Sequence, residues 1–219
     1  MSAAESAAVI GSYAGVAAEI LRRPARLGRT RLVAVDGPSG AGKTQFADRL
    51  AAAIRAAGRS VATVHTDVLL DGWDDQLTFW PRLEAQVLGP LREGRPAGYH
   101  PYDWHAGRFG ADRIDVPPAD VVILDGVSTA RTRIRPELTV AVFVTAPAET
   151  ALARALARDG PRFEPYLRRW QAVERRHFAE DATAAHADLV VDGAAGAPPD
   201  PATQFVRVDG VALVGDDRR

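Results

Sequence analysis

The 219-residue sequence contains no cysteine. That excludes disulfides, thiolate nucleophiles and cysteine-ligated zinc, and it agrees with a reducing cytoplasm. An excess of either charge is also missing: 27 basic residues face 28 acidic ones, for a net charge of −1. A broad nucleic-acid footprint needs a clear basic surplus, so no nucleic-acid partner is expected. No apolar run approaches the length of a membrane span. The start of the chain, with Glu5 and no basic run before an apolar core, is unlike a signal peptide, so no membrane partner is expected either. What remains is a chain with 47% hydrophobic residues, enough for the core of one soluble domain of ordinary size.

Short apolar runs alternate with helical patterns along this chain. Residues 31–37, 60–67, 119–126, 138–146 and 187–193 read as five strands, each continuously apolar. Helices are expected over 5–22, 43–58, 76–92, 147–160 and 162–181, with Pro81 and Pro90 limiting the third. Strands that are apolar on both faces and separated by helices indicate a parallel sheet covered on both sides, an α/β fold. The stretch "GAAGAPPDPA" (193–202) is linker-like, and 205–214 suits a final hairpin through Asp209-Gly210. The expected organisation is thus a single domain over 1–219: an N-terminal helix 5–22, a core 31–193, and a linker with a candidate hairpin over 194–219. That helix and the hairpin could either cover the sheet or make a subunit contact in a homo-oligomer.

Between the first strand and the second helix lies "GPSGAGKT" (37–44), which fits G-x-x-x-x-G-K-[ST] in full. Gly37, Gly40 and Gly42 let the backbone turn its N–H groups inward with no Cβ in the way, and the helix N-terminus adds partial positive charge. Candidate nucleotide-binding residues are therefore Gly37, Ser39, Gly40, Ala41, Gly42, Lys43, Thr44 and the adjoining Gln45. Lys43 can reach the β- and γ-phosphates, and Thr44 can ligate Mg²⁺. Asp125 ends the strand "VVILD", where a carboxylate could hold the metal directly or through water. Asp67 ends "VHTD", and ligands of an open parallel sheet bind beyond the carboxyl ends of its strands. Asp67 is therefore placed to accept the proton of an attacking hydroxyl. His65 reads as a core histidine without a role.

These pieces resemble the uridine kinase-like P-loop kinases, a branch that includes pantothenate kinase and phosphoribulokinase. The resemblance is carried by "GPSGAGKT", the Asp of "VHTD", "YHPYDWHAGR", "ILDG", "FVTAPAETALARALARD" and "ADLVVDG", over about residues 31–193. It implies a three-layer α/β/α kinase fold with a five-stranded parallel sheet and a short helical lid. It implies transfer of the ATP γ-phosphate, with Mg²⁺, to a hydroxyl of a nucleoside or another small metabolite. It supports the roles of Lys43, Thr44, Asp67 and Asp125. It adds Tyr102 and Asp103 in an acceptor pocket with His105 near the base or ribose, Arg154 and Arg158 on a lid helix against ATP phosphates, and Arg162 as the lid arginine that neutralises the transferred charge. One helical turn separates Arg154 from Arg158, so both could face one target.

Three departures bear on the acceptor. Val68-Leu69-Leu70 follow Asp67 where relatives carry polar and aromatic residues, leaving Asp71, Trp73 and Asp74 to replace that wall. The third strand ends in Asp-Gly rather than Glu-Gly. The lid is only "DGPRF". A nucleoside would draw on Tyr102, Asp103, Trp104 and His105, whereas a nucleoside monophosphate would want extra arginines such as Arg108 and Arg113. No Asn-Lys-x-Asp or Leu-Ser-Gly-Gly string occurs, so a GTPase and a transport ATPase are both disfavoured. A non-catalytic ATP-binding module and a kinase for pantothenate stay as alternatives.

Overall fold

The computed structural model describes residues 9–208. Five parallel strands form the centre of a sheet: β2 (Arg31–Asp36), β3 (Val61–His65), β8 (Val121–Asp125), β9 (Leu138–Thr145) and β10 (Leu189–Asp192). Their spatial order is β10-β9-β2-β8-β3. Side chains alternate across a strand, and in β2 both sets are buried. Val33 and Val35 pack under α1 (Tyr13–Arg22) and α2 (Lys43–Ala56), beside Val16, Phe46 and Leu50. Leu32 and Ala34 meet the opposite layer, with Leu83, Leu88 and Trp170. Each such Leu, Ile or Phe contributes roughly 1.5–3 kcal/mol when withdrawn from water, so a strand apolar on both faces is held between two helical layers. The expected three-layer α/β fold is present, with five parallel strands.

Two further strands extend that sheet. β1 (Val9–Ser12) and β11 (Gln204–Arg207) pair antiparallel, and β11 also pairs with β10, so the complete order is β1-β11-β10-β9-β2-β8-β3. The helix expected over 5–22 begins only at Tyr13. Ser12 caps it by accepting from the Gly15 N–H at 3.1 Å. Upstream, Gly11 lies so close to the Phe205 ring that a Cβ would come within 2.5 Å, a fit that suits strand pairing. Residues 5–8, and the 209–214 half of the expected hairpin, lie outside the described residues.

The helix expected over 76–92 is also shorter. It consists of α3 (Trp80–Leu83), a π turn (Glu84–Leu88) and α4 (Gly89–Arg92). Pro90 has no N–H to return to the fourth residue before it, and the wider turn absorbs that loss. Two small antiparallel pairs, β4 (Ala97–Tyr99) with β7 (Ile114–Val116) and β5 (Tyr102–Asp103) with β6 (Arg108–Phe109), fold the middle of the chain over the carboxyl ends of the strands. Helices α5 (Ala148–Asp159) and α6 (Glu164–Asp181) follow β9 and are joined by a 3₁₀ turn, Pro161–Phe163.

Candidate active site

The phosphate loop leads from β2 into α2, and its glycines divide the work. A Cβ on Gly37 (φ +137°) would come 2.0 Å from the Val144 carbonyl oxygen, and one on Gly40 (φ +82°) 2.1 Å from that of Ala151. These two glycines are required by the protein's own packing, a constraint additional to the expected clearance for phosphate. Gly42 (φ +103°) is different: a Cβ there would meet no atom within 4 Å. It precedes Lys43, the first residue of α2, so that helix opens onto unobstructed space at its positive end. Lys43 is 7% exposed and donates from Nζ to the Pro38 carbonyl at 3.0 Å. Thr44 and Gln45 are exposed in the first turn of α2, and Ala41 is buried beneath the loop.

Asp36, the last residue of β2, ties this loop to the segment after β8. Its fully buried carboxylate accepts from the backbone N–H groups of Gly37, Ser128 and Ala130 at 2.7–2.9 Å. Burial pushes its carboxyl up to about 6, against the pull of those N–H groups and of Lys43. Sequence reasoning assigned Asp36 nothing, although a carboxylate ending an apolar strand was the signal used for Asp125.

Neighbouring strands β3 and β8 set His65 opposite Asp125. Asp125 is 3% exposed; its Oδ2 lies 2.9 Å from His65 Nδ1, and its buried Oδ1 has no partner among the described residues. The hydrogen bond to Asp125 raises the proton affinity of His65. Far from being an inert core residue, His65 thus holds the carboxylate expected to hold the metal. Thr66 bonds to the Asp125 carbonyl and begins a 3₁₀ turn, Thr66–Leu69, which carries Asp67. Leu69 and Leu70 are sunk in the core, so the apolar run that departs from the family pattern anchors this turn. Asp67 is exposed to the cleft. Surrounding protein pushes its carboxyl above the usual range, opposed by Lys43, and the open cleft moderates that push.

Asp67 lines a cavity of about 470 Å³ together with Ser39, His105, Arg158 and Arg162. Trp73, Trp104, Phe163 and Trp170 form its apolar wall. Trp73 is the hub: its ring centroid lies 5.4–5.7 Å from those of Trp104, Phe163, Tyr166 and Trp170. Arg158 forms a two-pronged pair with Asp159 at 2.7 and 2.8 Å, while the Arg162 guanidinium sits 4.8 Å over the Phe163 ring.

Other expected residues fall elsewhere. Arg154 does not share a target with Arg158. It donates to the Gly193 carbonyl at 2.7 Å and borders a second cavity, of about 490 Å³, with Gly42, Gln45 and Asp192. Tyr102 stacks edge-on behind Trp104 and does not border the first cavity. Asp103 accepts from the N–H groups of His105 and Ala106, shaping its own turn, and exposed Arg108 pairs with it only through the β5–β6 backbone. Sequence reasoning also missed Glu174. Leu167, Trp170, Gln171, Glu174 and His177 are the buried residues of α6, at helical spacing. That phase, read along "LRRWQAVERRH", is the signal that could have placed Glu174 inward.

Among the described residues no cluster of three or more His, Asp or Glu side chains is disposed to hold a metal ion. The donor set that fits one here is the unpartnered oxygen of Asp125 with the Thr44 hydroxyl at the mouth of α2. An oxygen-only pair completed by phosphate and water suits Mg²⁺.

No protein-family profile matches the chain. It is 27% identical over 189 residues to a uridine kinase of Staphylococcus epidermidis, covering 75% of this chain and 88% of that one. A possible uridine kinase from Bacillus stearothermophilus superposes with a TM-score of 0.63 at 18% identity, over 82% of this chain and 97% of the other. The chain resembles the uridine kinase-like P-loop family in sequence as well as in fold. An alignment 137 positions long, covering 58% of this chain, is also 32% identical to the inorganic pyrophosphatase TTM1 of Arabidopsis thaliana, but it spans only 20% of that protein's length. The uridine kinase-like fold accounts for the parallel sheet and the loop at its carboxyl edge. The aromatic wall gathers Trp73 from the segment after Asp67, Trp104 from the turn between β5 and β6, and Phe163 and Trp170 from the turn before α6 and from α6 itself. No described helix is long and apolar enough to cross a membrane.

Proposed function

We propose that the protein is an ATP-dependent phosphotransferase that moves the γ-phosphoryl group to a hydroxyl of a small, nucleoside-like acceptor in the cytoplasm. One observation carries the reading: a single cavity is lined by a phosphate-loop residue (Ser39), a carboxylate (Asp67), two lid arginines (Arg158, Arg162) and a wall of flat rings. A nucleotide switch needs the first of these; only a transferase needs all four.

In this reading the acceptor ring packs against Trp73 and Trp104, which orients its hydroxyl towards Asp67. As that oxygen forms its bond to the γ-phosphorus, the bond from phosphorus to the β-bridging oxygen breaks. The hydroxyl proton passes to Asp67, and ADP leaves with the bridging oxygen. Lys43 exchanges the Pro38 carbonyl for phosphate oxygens, and Arg158 exchanges Asp159 for the charge spreading over the transferred group. Bound Mg²⁺, held by Thr44 and Asp125, would supply further charge neutralisation at the β- and γ-phosphates. Gly42, Gln45 and Arg154 would hold the nucleotide from the second cavity. Arg162 over Phe163 shuts the acceptor side from water.

A neutral acceptor is favoured over a monophosphate. Arg113 pairs with Asp115, Arg108 is exposed away from the cavity, and the nearer arginines already have partners. An ADP-release assay with a panel of nucleosides, nucleoside monophosphates and pantothenate tests the proposal, with phosphorus NMR identifying the product. The expected result is ADP formation that depends on a nucleoside-like alcohol. ADP release that ignores every acceptor, or nucleotide binding without turnover, would overturn the proposal.

A further inference from the structure

We propose that Glu174 is a positioning residue for the phosphate loop and that it takes up a proton when a nucleoside triphosphate binds there. The inference rests on the proposed nucleotide site and adds to it a residue, and a proton, that the mechanism above does not use.

Glu174 is 1% exposed on the inner face of α6. Its Oε1 accepts from the backbone N–H of Ser39 at 2.9 Å and from the indole N–H of Trp170 at 2.6 Å. Its Oε2 is buried with no partner among the described residues. One carboxyl thus joins the phosphate loop to the aromatic wall, since Trp170 lines the acceptor cavity and meets Trp73 edge-on at 5.7 Å. Holding the Ser39 amide fixes the loop, but it leaves a charge in a dry place with half of its hydrogen-bonding capacity unmet. Such a charge is costly unless a cation answers it or a proton neutralises it.

The charges that face Glu174 come from three elements. They are Lys43 at the head of α2, Asp67 in the turn after β3 and Arg158 on α5. Lys43 gives its ammonium hydrogen bond to Pro38 rather than to Glu174. Both cations are ones that bound phosphates would claim. A triphosphate on the loop therefore spends the positive charge that favours the ionised carboxyl, and brings negative charge of its own. Both changes strengthen proton binding at Glu174, and the Mg²⁺ that comes with the nucleotide offsets only part of them, because the complex keeps a net negative charge. Burial already pushes the carboxyl up to about 7, so near neutral pH the group is divided between its two forms and responds to a modest change of field.

Calorimetric titration with the magnesium complex of a non-hydrolysable ATP analogue, in buffers of different ionisation heat, reads the linkage directly. For the wild type we expect net uptake of about half a proton per nucleotide at pH 7, rising towards about one at pH 8. Glu174→Gln keeps an acceptor for Ser39 and mimics the protonated form. It should lose the Glu174 share of the uptake and keep what the nucleotide and the other carboxyls that face Lys43, Asp36 and Asp67, contribute, and between pH 7 and 8.5 it should gain on the wild type by up to about tenfold in affinity. Equal proton uptake in the two proteins at both pH values overturns the inference while leaving nucleotide binding intact. If the variant does not fold, the wild type still decides: uptake that fails to rise from pH 6 to 8 overturns it. A wild type that binds no nucleotide overturns the proposed function, and this inference with it.

Discussion

His65 Nδ1 lies 2.9 Å from one oxygen of Asp125, and the other oxygen of that buried carboxylate has no partner among the described residues. The pairing follows from register, because the two residues end adjacent parallel strands opposite one another. It fixes the carboxylate's rotation and leaves its second oxygen buried without a partner, and in the proposed site that oxygen would be the one offered to the metal. His65→Ala should cost about 1–3 kcal/mol of stability, the scale of stranding a buried acceptor. It should also weaken Mg²⁺ binding with nucleotide by about tenfold or more. Chemical unfolding and a calorimetric Mg²⁺ titration measure the two effects. An unchanged Mg²⁺ affinity would remove His65 from the metal site.

In the proposed reaction Asp67 serves transfer and not nucleotide binding. Asp67→Asn keeps the shape of the turn and removes the proton acceptor, so turnover should fall roughly a hundredfold or more while nucleotide affinity changes little. Transient kinetics of ADP formation beside equilibrium nucleotide binding tests this. Wild-type turnover in the variant would dismiss Asp67 as the base.

Trp73 packs against the three other rings of the cavity wall, Trp104, Phe163 and Trp170, and against Tyr166 outside it. Trp73→Ala should therefore lower kcat/KM for the acceptor by roughly one to two orders of magnitude and leave nucleotide affinity near wild type, since an aromatic contact adds about 0.5–1.5 kcal/mol beyond its buried area. Acceptor KM and nucleotide Kd, measured side by side, check it. Parallel losses in both would mean that the wall supports the fold more than it selects an acceptor.

Gly40 tests the division of labour among the glycines. With a Cβ placed 2.1 Å from a backbone oxygen at φ +82°, Gly40→Ala forces loop and α5 apart. It should destabilise the protein by about 1–3 kcal/mol, through strain rather than through obstructed phosphate. Thermal unfolding without nucleotide measures the effect, and an unchanged midpoint would contradict it.

Much of this was legible in the sequence because local patterns and global fold agree there. The continuously apolar strands from "RLVAVD" to "ADLVVDG" could only be buried on both faces, and "GPSGAGKT" sits at the one junction where its chemistry works. The misses share a physical cause, which is that partners distant in sequence decided the outcome. Residues 9–12 look helical beside an alanine-rich run, but β11 recruits them as a strand. His65 and Glu174 look like a core histidine and a solvated helical charge until β8 and the phosphate loop are set beside them. Arg154 and Arg158 share a helix face, yet their side chains serve different cavities, because Gly193 and Asp159 hold them apart. Asp103 carries the local signature of a turn former as well as that of a ligand, and the turn claims it.

Glu174 also governs how stability varies with pH in the nucleotide-free protein. Its carboxyl titrates near 4.5 when unperturbed and is pushed up to about 7 in the fold, chiefly by burial. Between those values the native state keeps the proton and the unfolded chain has released it. Native stability must then fall as pH rises through that window, by up to roughly 3 kcal/mol in all. Below the unperturbed value both states are protonated, and above the native one both are ionised, so the slope is confined to the interval between. Glu174→Gln removes this term and should gain on the wild type steadily from pH 5 to 7 and level off above that, measured as urea-unfolding free energies. Asp36, also raised by burial, adds a slope of the same sign, but it is present in both proteins and cancels in the difference. Parallel pH profiles for the two proteins would mean that the Glu174 carboxyl finds another donor, or water, when it ionises, and the dry link between Ser39 and Trp170 would have to be abandoned.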